Sequence, residues 1–124
     1  LAASATNTKR RAMTEPEFDR DGYPTDRTLE AIEKWDSSDF RGLMKFVADA
    51  WKYPECAYPK ENDDEIEYHF ATGGWSGNES LISSIRSNTI FFMCCWKMSE
   101  RGGKHVYSKR KIKIHHKEHE KEGE

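Results

Sequence analysis

From Phe40 to Trp51 the apolar residues Phe40, Leu43, Met44, Val47, Ala50 and Trp51 recur at intervals of three and four. That spacing sets them on one stripe of an α-helix. Burial of the stripe contributes about 1.5–3 kcal/mol for each larger side chain, enough to anchor a small core. Pro54 is expected to end the helix. Upstream, Thr25 is placed to cap a helix with apolar positions Leu29, Ile32 and Trp35, and Asp36 with Ser37–Ser38 separates the two. Downstream, Glu55 to Asp64 is acidic, has prolines at positions 54 and 59, and reads as a loop.

The period then changes. From Glu65 to Thr72, Ile66, Tyr68, Phe70 and Thr72 alternate with Glu65, Glu67, His69 and Ala71, the pattern of a strand with one wet face. Ser76 and Glu79 stand in capping-box spacing ahead of Leu81, Ile82 and Ile85, so a short helix is expected there, closed by Ser87–Asn88 in a left-handed cap. Thr89 to Met98 is the most hydrophobic run and has no charge before Lys97. Its β-branched and aromatic content predicts a strand buried on both faces. Glu100–Arg101–Gly102–Gly103 signals a hairpin turn, with Lys104 to Ser108 or slightly beyond as the returning strand.

The resulting order, α-α-β-α-β-β, predicts a single small α+β domain. Its sheet is roughly three-stranded, with Thr89–Met98 central and helices packed on at least one face. The link from the first strand to the second is long enough for a right-handed crossover. The expected boundaries are a disordered tail over 1–17, the domain over 18–108 and a charged tail over 109–124. A chain of 124 residues accommodates one core and not two. No internal repeat is visible.

Charge divides along these boundaries. Between Met13 and Ser108 eleven basic residues face eighteen acidic ones, a net of −7, whereas both ends are rich in Lys and Arg. An acidic body suits basic protein surfaces better than a phosphate backbone. Leu1 to Ala12 lacks the apolar stretch of a secretory signal, and Met13 is a candidate start. No run approaches the roughly 18–20 apolar residues of a membrane span. A cytoplasmic protein is therefore expected. Cys56, Cys94 and Cys95 are read as reduced and mostly buried, since neighbouring cysteines on a strand point to opposite faces.

Candidate chemistry is sparse. The junction Gly73–Gly74–Trp75–Ser76–Gly77 lies between a strand and a helix, where backbone N–H groups can hold a phosphate or carboxylate. Glu79 sits where the anion would go, however, and neither the Walker nor the dinucleotide glycine pattern is present. A nucleophile elbow fails because Gly77 follows Ser76 directly. Asp63 and Asp64, with Glu61, Glu65 and Glu67, form an acidic cluster suited to a cation or a basic partner, without EF-hand spacing. Lys104, Lys109, Arg110, Lys111 and Lys113 around Tyr107 are candidate nucleic-acid contacts. His115, His116, Glu118 and His119 match an inverted zincin pattern formally, but in a charged tail that cannot fix ligands. Pairing Cys94 or Cys95 with His69 or His105 as nucleophile and base is opposed by the expected burial of the thiols.

From Thr72 to Tyr107 the string TGGWSGNESLISSI…FFMCCWKMSERGGKHVY, with the earlier GYPTDRTLEAIEKWD, resembles small uncharacterised proteins of tailed phages and prophages. The resemblance spans residues 22–107 and implies an accessory protein in a bacterial cytosol; it transfers no catalytic residue and no cofactor. The functional expectation is a non-catalytic interaction module that engages another protein, such as a host factor, through Asp63, Asp64 and Trp75. The alternative is a phosphate-ligand or nucleic-acid binder using Gly73, Gly74, Trp75 and Ser76 with the basic hairpin. No two residues with mutually supporting catalytic roles can be named.

Overall fold

The computed structural model describes residues 13–111. In chain order it contains helices α1 (Asp26–Glu33) and α2 (Phe40–Ala50), a 3-10 turn at Pro54–Cys56, and strands β1 (Ala57–Glu61) and β2 (Glu65–Ala71). Helices α3 (Ser76–Ser87) and α4 (Thr89–Cys95) and strands β3 (Trp96–Glu100) and β4 (Lys104–Arg110) complete it. The four strands form one sheet in the order β1-β2-β4-β3, with every neighbouring pair antiparallel. This is a small α+β domain with one strand more than expected. Because β4 lies between them, β2 and β3 run parallel, and the α3–α4 connection crosses from one to the other.

The helices follow local chemistry. Thr25 caps α1 by accepting from the Thr28 amide, and Asp39 caps α2 by accepting from Gly42 N at 3.0 Å. Every member of the α2 stripe is buried, and Phe46 joins it. Trp51 follows the helix and anchors its end by donating from Nε1 to the Ala71 carbonyl at 3.0 Å. The core lies between the helices and one face of the sheet. Phe40 packs on Phe91 with ring centres 5.9 Å apart, Trp51 on Phe70 at 4.9 Å, and Tyr107 meets both Phe70 and Phe91.

Several expectations are overturned. Thr89–Cys95 is helical, and the strand that follows begins only at Trp96 and lies at the sheet's edge rather than its centre. The reason is Asn88. Its side chain donates to the carbonyls of Ile32 and Trp35, both at 3.0 Å, and accepts from the Phe91 amide, so it caps α4 while tied to the end of α1. Asn88 has φ −83°, so α3 does not end in a left-handed residue. The capping box is also absent: α3 has Trp75 at its cap position without a side-chain bond, and Ser76 bonds Tyr23 instead.

Residues 57–61, expected as loop, form β1, an edge strand in which Pro59 is tolerated because no further strand needs its missing N–H. Glu17 N donates to Thr28 Oγ1 at 2.8 Å, and β4 continues through Arg110, with Lys111 N bonded to the Asp64 carbonyl at 2.8 Å.

Candidate functional site

The glycine-rich junction is built as a joint. Gly73 and Gly74 have φ of 63° and 77°, a turn open mainly to glycine. Beyond them Asn78 is fully buried and satisfies three backbone groups. Its Oδ1 accepts from Lys52 N at 3.0 Å, and its Nδ2 donates to the Lys52 and Thr72 carbonyls, both at 3.1 Å. The segment after α2 is thus pinned to the end of β2. Trp75 folds over Gly77, where a methyl group would overlap its ring. It packs on Tyr23 at 4.9 Å with the Lys52 ammonium 4.9 Å from its ring centre. Trp75 is half-buried, while Gly73, Gly74 and Ser76 are exposed.

Asp63 and Asp64 lie in the β1–β2 turn, at the opposite end of β2 from Gly73. Asn62 Oδ1 shapes that turn by accepting from the Asp64 and Glu65 amides at 2.7 and 2.9 Å. The structure therefore does not bring the acidic pair and Trp75 together. Glu61, Glu65 and Glu67 of the cluster have cationic partners. Glu61 pairs with Arg41 at 2.9 Å and Lys111 at 2.6 Å, and Lys97 joins both Glu65 and Glu67. These partners reduce the cluster's attraction for a basic protein. Glu67 also contacts His69 Nε2 at 2.8 Å, on the sheet face away from the helices, where the His69 ring stacks on Tyr58. The other ring nitrogen, Nδ1, is buried without a hydrogen-bond partner among the described residues.

The helical course of residues 89–95 redistributes the apolar side chains. Phe91 and Cys95, four apart, point into the core, while Ile90 and Met93, three apart, point outward with 64% and 76% exposure. Trp96 and Met98 of β3 are exposed at 44% and 37%. Trp96 stacks on Phe92 at 5.6 Å, which ties helix to strand, and the Arg86 guanidinium lies over the Phe92 ring at 5.3 Å. The outer side of β3 is a sheet edge.

The thiols divide accordingly. Cys94 is exposed and Cys56 intermediate, against the expectation that all three are mostly buried. Cys95 is buried; desolvation, with Cys94 adding to it, pushes its thiol up to about 11 and leaves it protonated near neutrality. His105 contacts Ser99 rather than a cysteine, with Nδ1 2.8 Å from Ser99 Oγ, which also accepts from Trp96 Nε1 at 2.9 Å. This is a cross-strand pair in the β3–β4 register. The zincin-like histidines lie outside the described residues, as does Lys113. Among the described residues no group of three or more His, Cys, Asp or Glu is disposed to hold a metal, and no helix is long and apolar enough to cross a membrane.

Comparison with known proteins finds no family model, no curated protein and no solved structure that matches this chain. The geometry alone therefore ranks the sites. The α4–β3 surface was missed by sequence reasoning, although a signal existed: Phe91 and Cys95 stand four apart, with Ile90 and Met93 on the opposite helical side.

Proposed function

We propose that this domain is a non-catalytic protein-interaction module whose contact surface is the apolar area formed by α4 and β3. The observation that carries this reading is the exposure of Ile90 and Met93 on α4 together with Trp96, whose ring stacks on Phe92 of that helix, at the strand that is the sheet's edge among the described residues. Contiguous apolar surface of this kind marks interaction sites, whereas isolated exposed residues do not. Aromatic residues and Met are also the types enriched in contact cores.

The two sheet edges differ. β1 carries Pro59, which discourages strand addition, while β3 has no proline and presents Trp96 on the helix side of the sheet. The partner is assigned as an apolar segment of another polypeptide that carries carboxylates, laid along β3 and over α4. Arg86 over Phe92 and the exposed Arg101 in the β3–β4 turn supply the complementary charge, and a second copy would bring these arginines toward like charge. The resemblance to phage-encoded proteins extends the proposal to an accessory protein acting on a host factor.

The test uses peptides selected by the domain from a displayed random library. Selected sequences should be apolar with acidic residues, and Ile90→Asp with Met93→Asp should abolish their binding while the protein stays folded, since both side chains face solvent. Equal binding by that variant, or no enriched sequence, would remove the proposal. Self-association that is lost in the variant would replace the partner segment with a second copy.

A further inference from the structure

Where the end of β4 passes the start of α2, independently of the surface just proposed, the chain forms a cleft of about 330 Å³. Four cations line it: Arg41 from α2 and Lys109, Arg110 and Lys111 from the end of β4. Phe40 and Ile66, both buried, form its apolar wall. The carboxylates of Asp39 and Glu61 stand close, and both are committed. Asp39 accepts from Gly42 N through Oδ1 and from Trp35 Nε1 through Oδ2, each at 3.0 Å. Glu61 takes Arg41 and Lys111, which hold its carboxyl down at about 2. It therefore stays ionised and keeps both cations turned toward one place.

Glu61 uses two of the five N–H groups of the Arg41 guanidinium, so donors remain. Among the described residues Lys109 Nζ donates to the Ser38 carbonyl, at 3.4 Å. Arg110 stands beside Glu65 in the β2–β4 register, so Arg41, Lys109 and Lys111 against Asp39 and Glu61 carry the positive balance of the cleft, in a chain whose stretch from Met13 to Ser108 is strongly acidic. The volume falls at the lower end of small-molecule sites, roughly 300–1,000 Å³.

We infer that this cleft binds the phosphoryl group of a small phosphate ester, a mononucleotide or similar compound, with Arg41 and Lys109 on the phosphate and the organic part against Phe40 and Ile66. A guanidinium beside an ammonium suits the phosphoryl oxygens, and the apolar wall suits a ring. A nucleic-acid strand would extend beyond the cleft over an acidic surface, which disfavours a polymer.

The experiment titrates AMP, inorganic phosphate and a short single-stranded oligonucleotide into the full chain while backbone amide shifts are followed. Saturable shifts at Ser38, Arg41 and Lys109 are expected with AMP, and weaker ones with phosphate. Arg41→Gln and Lys109→Gln should each weaken AMP binding by roughly tenfold, the scale of losing one charge-assisted contact. Lys34→Gln, which removes a charge from α1's end, should leave it unchanged. If Arg41→Gln does not fold, Lys109→Gln decides alone, because its exposed ammonium makes one long contact. An absence of saturable shifts with AMP and phosphate, equal weakening by Lys34→Gln, or far tighter binding of the oligonucleotide than of AMP would each overturn the assignment.

Discussion

Asn78 replaces a missing stretch of secondary structure with one side chain. The backbone around Lys52 and Thr72 leaves regular elements there; the Thr72 carbonyl is shared by the Trp75 amide and Asn78, while the Lys52 N–H and carbonyl both bond the Asn78 amide. Asn78→Ala is expected to cost about 2–3 kcal/mol, because it strands these groups and leaves a small void in a fully buried site. Chemical denaturation measures this, and a loss under half a kcal/mol would show that the joint holds without it. The neighbouring Gly77 has a steric reason of its own. With the Trp75 ring lying where a Cβ would sit, Gly77→Ala should drive the indole off Tyr23 and into water. The indole fluorescence should shift to the red, and stability should fall by about 1–3 kcal/mol, the usual scale of a local steric clash. An unchanged emission maximum would mean that the ring does not rest there.

The same local sequence admits two elements over residues 89–95, and substitution distinguishes them. A strand places Phe91, Met93 and Cys95 on one side, so truncation at 91 and 93 would be similarly costly. The helix instead buries Phe91 completely and exposes Met93. Phe91→Ala is therefore expected to cost about 3–5 kcal/mol, and Met93→Ala less than about 0.5 kcal/mol. Comparable losses at the two positions would restore the strand. The example also shows what was legible. Helix α2, strand β2 and the β3–β4 hairpin could be read because period, cap and glycine turn agree within each segment. Helix α4 could not, because a short apolar run with aromatic and β-branched residues fits either period, and the decision rests on Asn88 binding carbonyls more than fifty residues away. Strand β1 was hidden for the opposite reason: an edge strand with little to bury has no alternation to display. The α4–β3 surface became visible only once the helix fixed which apolar residues face out, and the basic cleft only once β4 was brought to the start of α2.

At the scale of the molecule, the perturbed ionisable groups act together to define a window of stability. On the acid side, His105 is lowered by burial and then by the Arg86 charge, and Glu67 by its bonds to Lys97 and His69. Asp36 is lowered by hydrogen bonds from Ser38, and Glu61 to about 2 by Arg41 and Lys111. For each of these the unfolded chain takes up the proton at a higher pH than the fold does, so falling pH favours unfolding. His105 should begin the loss just below its ordinary 6.5, and the carboxylates should continue it down to about 2. On the alkaline side the sign reverses. Cys95, raised to about 11, and Tyr107, raised chiefly by burial, are held neutral in the fold while the unfolded chain releases their protons from their ordinary 9.0 and 10.0 upward. Lys97 acts in the same direction, because Glu67 and Glu65 raise it and its stabilisation is lost as it deprotonates. The midpoint of thermal unfolding should thus be nearly flat between about pH 7 and 9 and fall on both sides. Tyr107→Phe keeps the buried ring and removes the phenol, so it should make the alkaline limb shallower while leaving the acid limb in place. A stability maximum at acid pH, or an alkaline limb indifferent to Tyr107→Phe, would mean that Tyr107 and Cys95 are not sealed inside the core that α4 and β4 jointly close.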